Sequence, residues 1–367
     1  MSVEKLLLFL VMLSVLVVLH EYGHFLLARR NGVRVNDFAL GMGPTLLKWT
    51  SKRSGTNYLL NLFPIGGYCA MKGEDGKSTE AEQQREFQIT GKHDDDNFQA
   101  KTPWQRLAIV VAGPVANFIV AFVLLFVSAA VFGVADKTAT TRIYQLIPGY
   151  PAQKAGLHPG DTITSINGVA MTTFNQMLHT VDGSAGKLLH VTYEREGRSY
   201  DVAIVPKDTV EQGKHVGRFG LYPMPAMRPA SIPEAAEASW TQFSTVTVGT
   251  IDVLGKLVTN FAATAGQLQG PIGIAQVSGQ IADFGWGPYL SLAATLSISL
   301  GIFNLLPIPA LDGGRGIFII VEMLRGKPVD PEKEALVHVG GFAALIVVML
   351  AVAYHDIARI LAGQAAF

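Results

Sequence analysis

Residues 5–28 read KLLLFLVMLSVLVVLHEYGHFLLA. After Lys5, and apart from Ser14, the run is apolar as far as Leu19. As a helix it covers roughly 36 Å, enough to cross a hydrocarbon core of about 30 Å. No small-x-small cleavage site follows it, and Arg29 and Arg30 do, so it reads as a retained span and not as a signal peptide. His20, Glu21 and His24 are set into its far end. Ionisable groups are costly inside a bilayer, so their presence there points to function. On a helix, residues four apart share a face, so His20 and His24 can bind one metal ion. Glu21 can then take a proton from a metal-activated water. His20 lies about 22 Å along from Lys5, which places the metal nearer the basic end of the span.

The rest of the chain fits a membrane protein that carries a water-exposed part. Hydrophobic residues make up 49% and charged residues 16% of the 367 positions, below the quarter or so that is charged in soluble domains. Basic and acidic residues balance at 29 each, so no nucleic-acid partner is expected. The single cysteine, Cys69, excludes an internal disulfide and any paired-cysteine metal site, and reads as packing. Further apolar stretches run over 104–134, 286–324 and 336–361, giving about four transmembrane helices. Gly113-Pro114 and Asn117 interrupt the second, where Asn117 reads as an interhelical hydrogen-bonding group. Asn304, Pro307 and Pro309 break the third before Asp312-Gly313-Gly314 restarts it. Broken backbone at membrane depth must be buried in protein or line a polar cavity. Basic residues cluster after the first span (Arg29, Arg30, Lys101, Arg106) and after the third (Arg325, Lys327, Lys333). Those loops are therefore expected to be cytoplasmic, with both termini outside.

Between the first two spans, residues 33–49 and 56–74 read as short strands and hairpins, and 74–100 as an exposed polar loop. The His93 to Asp96 run within that loop reads as a solvated acidic segment. The stretch PAQKAGLHPGDTITSINGVAM at 151–171 resembles a PDZ domain, which binds extended peptides. One such run is visible. Residues 232–266 read as a helix of mixed polarity, to be packed on the protein or laid on the bilayer surface. The expected division is an N-terminal membrane part (1–137), the PDZ-like domain (138–208), an extracytoplasmic linker with an amphipathic helix (209–285) and a C-terminal membrane part (286–367).

A hydrolytic zinc normally has three protein ligands and one open position. Asp312, an acid deep among apolar residues, is the best candidate for the third ligand, ahead of its alternative reading as a helix N-cap. His338 and His355 lack a partner at ligand spacing and read as satisfied polar or interface groups.

HEYGH, then FPIGGY, AGPVANF, the PDZ-like run and NLLPIPALDGG follow the order found in the site-2 proteases. The chain resembles the bacterial regulator-of-sigma-E intramembrane protease type over nearly its whole length, although many such proteases carry two tandem PDZ domains. The resemblance implies a polytopic α-helical membrane protein with a membrane-associated β-loop over Phe63–Met71 and an inserted extracytoplasmic PDZ domain. It implies Zn2+ on His20, His24 and Asp312, with Glu21 as general base and acid. Asn304 would help hold substrate or the developing oxyanion, and Gly66 and Gly67 would lie on the edge that meets it. Expected partners are single-span membrane substrates, such as anti-sigma factors or signal-peptide remnants, the lipid bilayer, and peptide ligands of the PDZ-like domain. The expected place is the bacterial inner membrane, with the active site nearer the cytoplasm. Two rival readings fit less well. A non-enzymatic adaptor would be expected to lack one of the four metal-site residues, and a metal transporter to spread polar groups through several spans.

Overall fold

The computed structural model describes residues 2–74, 95–211, 214–260 and 269–361. His93 and Asp94 of the acidic run, and the stretch 261–266 of the expected amphipathic helix, lie outside the described residues. The chain divides into two compact units, one formed by residues 1–126, 239–279 and 289–366, the other chiefly by 127–238 and 280–288.

The first unit begins with α1 (Val3–Arg30), capped by Ser2 and ending on Arg29 and Arg30, whose charges suit the helix dipole. Its buried residues Phe9, Met12, Leu16, His20, His24 and Ala28 recur every three or four positions and form one stripe. Strands β1 (Val35–Thr50) and β2 (Asn57–Met71) make a hairpin that curls on itself. Its register sets Leu40 opposite both Gly67 and Leu60. Met42, Leu46, Leu47, Trp49, Leu62 and Phe63 are left exposed on it. Helix α2 (Pro103–Phe132) carries Pro114 in its interior. It approaches α1 at Gly23, where an added Cβ would stand 2.8 Å from the Cβ of Ala116. Small residues at the crossing let the two backbones come this close.

The second unit starts from β3 (Val134–Leu146), followed by the short helix α3 (Pro151–Lys154), β4 (Thr162–Ile166), β5 (Val169–Ala170) and α4 (Phe174–Asp182). Then come β6 (Leu189–Arg195), β7 (Arg198–Ile204), β8 (Lys207–Glu211), β9 (Lys214–Arg218) and β10 (Leu221–Arg228). The main sheet runs β10-β3-β4-β6-β7, with β5 paired to β4, and β8 and β9 form a separate hairpin. Strand β10 therefore joins this sheet from a stretch expected to be linker. Ile143, Leu157, Ile163, Ile166, Met177, Val191, Ile204 and Phe219 build the core. Asp161, 1% exposed, is held by a bidentate pair with Arg195, at 2.7 Å to both Nε and Nη2.

The chain returns to the first unit along α5 (Ile232–Thr259), then α6 (Pro271–Ala282), α7 (Trp286–Leu305), α8 (Asp312–Arg325) and α9 (Pro331–Leu361). Phe243, Val246 and Leu254 of α5 pack on a cluster made by Ala121 and Leu125 of α2 with Ala294, Ile298 and Ile302 of α7. This answers the question the sequence left open, because one face of α5 packs on protein. Asp356 of α9, 4% exposed, accepts from the backbone N–H groups of Gly270 and Gly273 at the start of α6. Among the described residues, α1, α2, α7 and the 332–359 stretch of α9 are long and apolar enough to cross a membrane.

Candidate metal centre

The site is built where α1 meets α2 and the start of α8. HEYGH presents both imidazoles from successive turns of α1, each side chain about nine-tenths buried. Nε2 of His20 and Nε2 of His24 lie 3.2 Å apart, and Asp312 Oδ2 lies 3.2 Å from the first and 3.4 Å from the second. Zinc sits about 2.0–2.1 Å from nitrogen and oxygen ligands in a tetrahedron, whose edges are then roughly 3.3–3.4 Å. The three atoms therefore form a triangle of the size of one tetrahedral face. Asp312 Oδ2 is buried with no hydrogen-bond partner, as an atom reserved for a cation would be. The donor set of two imidazoles and a carboxylate suits zinc.

The outer nitrogens are also engaged, which fixes the ring orientations. His24 Nδ1 donates to the carbonyl of Ile109 at 2.9 Å. His20 Nδ1 lies 3.1 Å from the side-chain amide nitrogen of Asn117, whose own Oδ1 is buried without a partner. If Nε2 is to ligate a metal, Nδ1 must carry the proton. A half-turn of the amide then gives that proton an acceptor and pairs the orphaned oxygen. Helix α2 reaches this close because residue 113 is glycine. An added Cβ there would fall 2.6 Å from Cε1 of His24 and 2.8 Å from Cε1 of His20.

A cavity of about 380 Å³ opens beside the triad, lined by Glu21, His24, Asp312, Arg315 and His338 and by Tyr68 to Met71 of β2. Glu21 and His24 thus share its wall. Glu74 accepts from the N–H of Met71 at 3.0 Å and pairs with Arg315, which ties the end of β2 to α8. Cys69 is buried in the wall. Its burial pushes the thiol far above its usual range, and the charges of Glu21 and Glu74 push the same way.

The residues expected from the sequence are distributed as follows. His20, His24 and Asp312 converge and Glu21 stands beside them. At Gly67 an added Cβ would lie 3.7 Å from Cγ of Glu21, so the strand passes Glu21 at close range. Gly66, with φ +80, is turned against Met42 instead. Asn304 is half-buried at the end of α7 and is not among the cavity-lining residues. The sequence marks Gly113 only as a helix interruption and Asn117 only as an interhelical group, and it gives no sign of the Ile109 carbonyl, Glu74 or Arg315. The available signal was AGPVANF, a small-residue, proline-broken and polar turn inside an apolar helix. The second unit has its own groove of about 390 Å³ between α4 and β10, lined by Phe174, Met177, Val181, Phe219 and Leu221.

The sequence profile of Peptidase family M50 matches residues 8–348. The chain is 32% identical to Zinc metalloprotease RasP of Geobacillus kaustophilus (strain HTA426) over 98% of this chain and 99% of that one. It is also 32% identical to Regulator of sigma-W protease RasP of Bacillus subtilis (strain 168), over 98% and 100% of the two chains. A crystal structure of the PDZ domain of an SdrC-like protein from Listeria innocua covers 25% of this chain and 99% of its own, at 18% identity and a TM-score of 0.21.

Proposed function

The protein belongs to peptidase family M50 and is a zinc metalloprotease embedded in a bacterial membrane, and we propose that it cuts single-span membrane proteins within or next to the bilayer. One observation carries the reading: three ligand atoms 3.2–3.4 Å apart, buried among apolar helices, with a glutamate beside them on a cavity wall.

In this reading His20, His24 and Asp312 hold the zinc. When bound, the ion supplies Lewis acidity that brings a water's pKa towards neutrality. Glu21 takes the proton from the attacking water and returns it to the leaving amine, acting as base and then acid. A transmembrane helix hides its peptide groups in internal hydrogen bonds, so substrate must unwind before it is cut. Pairing with the β2 edge, with Gly66 and Gly67 allowing close approach, would satisfy the freed groups. Asn304 is proposed to hold the substrate carbonyl from the end of α7. The PDZ-like unit is placed outside the cell and the metal centre nearer the cytoplasm. Its groove would take extended peptide and restrict entry to shortened substrates. Anti-sigma factors are one proposed substrate class, in keeping with a Bacillus relative named Regulator of sigma-W protease, and signal-peptide remnants a second.

The test is to incubate the purified chain with a single-span substrate in detergent and map the cut by mass spectrometry. The reading requires a bond inside or bordering the apolar segment and no cutting in the presence of a zinc chelator. Cleavage confined to the soluble ectodomain would contradict it.

A further inference from the structure

We propose that His338 of α9 is a positioning residue for the metal centre, acting through the backbone of Ala310 to set the carboxylate of Asp312. Ala310 stands two residues before Asp312 with φ +75, in the left-handed region that an L residue with a Cβ disfavours. Locally it is closed by one turn bond, from the N–H of Leu311 to the carbonyl of Ile308 at 3.1 Å. Leu311, the N-cap of α8, makes no side-chain capping bond. The side-chain hold comes from α9, because the N–H of Ala310 donates to Nδ1 of His338 at 2.8 Å. One turn on, α9 presents Gly341 to the same loop, where an added Cβ would lie 2.7 Å from the Pro309 carbonyl oxygen. The ring of Phe318, on α8, faces the His338 ring with centroids 5.5 Å apart. His338 thus touches the strained residue before Asp312 and the helix that Asp312 begins.

Nδ1 accepts from Ala310, so the proton of the neutral ring sits on Nε2, which is buried without a hydrogen-bond partner. The same ring lines the catalytic cavity. The contact is not part of a broad packing surface, since the most apolar 18-residue stretch of α9 has 0% of its residues buried. Removing it takes away a point restraint and leaves a core intact. Without the restraint, the Pro309–Ala310 turn relaxes towards negative φ and carries Asp312 off the imidazoles.

The inference rests on His20, His24 and Asp312 being the zinc ligands. The experiment compares the full-length native chain with His338→Ala, His338→Asn and the double variant His338→Ala/Ala310→Gly. Zinc retention against a graded chelator and the visible spectrum of the cobalt-substituted proteins are read beside thermal unfolding. His338→Ala is expected to hold zinc about 10–100-fold more weakly, the range for losing an outer partner of a metal site. Its cobalt spectrum shifts while its unfolding temperature stays close to native. His338→Asn keeps an acceptor and retains most of the affinity. Ala310→Gly restores the affinity lost in His338→Ala, because glycine adopts positive φ freely. Native affinity and spectrum in His338→Ala would overturn the proposal, as would failure of Ala310→Gly to restore a loss. If His338→Ala does not accumulate, His338→Gln with and without Ala310→Gly carries the same comparison. A native chain that binds no zinc would instead overturn the ligand assignment.

Discussion

Replacing Gly113 with alanine adds one carbon atom at the place where α2 touches both histidines. The new Cβ would stand 2.6 Å from Cε1 of His24 and 2.8 Å from Cε1 of His20. Carbon atoms in good contact are about 3.5–4.0 Å apart, so each ring must move by roughly 1 Å. His24 cannot swing aside without giving up its 2.9 Å bond to the Ile109 carbonyl. His20 is held in the same way by Asn117. Metal–ligand distances tolerate only about 0.2 Å, so displacement of this size removes the tetrahedral face. Gly113→Ala should therefore lose most of its zinc and at least about 100-fold in activity. Overpacking should destabilise the fold by a further 1–3 kcal/mol or so. Gly249 in α5 is the control, since an added Cβ there meets nothing within 4 Å. Gly249→Ala should be neutral, or stabilising by up to about 1 kcal/mol through helix propensity. Zinc content by mass spectrometry and cleavage of a single-span substrate decide the matter. A Gly113→Ala chain with native zinc and native activity would refute the packing argument.

Three other outcomes follow from the geometry. Asn117→Ala should weaken zinc binding by about 10–100-fold while Asn117→Asp, which keeps an acceptor for His20 Nδ1, should weaken it less, as measured by chelator competition. Arg106 and Glu322 form an ion pair whose side chains are 7% and 15% exposed, and Arg106 also donates to Gln99 at 2.9 Å. Arg106→Leu should cost about 3–5 kcal/mol in detergent unfolding by stranding a buried carboxylate, and adding Glu322→Gln should recover part of it. The raised Cys69 pKa keeps its thiol protonated at neutral and mildly alkaline pH. Iodoacetamide should therefore label folded protein slowly up to about pH 10 and label denatured protein readily, as followed by intact mass.

The proposed metal ligands stand out in the sequence because each breaks an apolar pattern. HEYGH and Asp312 put ionisable groups where the bilayer admits few. Their surroundings were less legible. The partners of His24 and His20, Ile109 and Asn117, lie 85 and 97 positions away along the chain, and no periodicity connects them. Gly113-Pro114 could be read as a helix irregularity but not as the place where two imidazoles need room. Strand β10 was hidden for another reason, since LYPMPAMR carries two prolines that argue against a strand. Its place at the edge of the sheet explains how they are tolerated, because an edge strand has N–H groups that need no partner. The fate of α5 could not be read at all. Its mixed polarity suits a lipid surface as well as a protein one, and only the packing of Phe243, Val246 and Leu254 distinguishes them.

The most direct test of the account is zinc content measured beside cleavage for the native chain, Glu21→Gln and Asp312→Ala. Stoichiometric zinc is expected in the native chain and in Glu21→Gln, cleavage by the native chain alone, and neither zinc nor cleavage in Asp312→Ala. Full zinc occupancy in Asp312→Ala, or cleavage by Glu21→Gln, would contradict the roles assigned here.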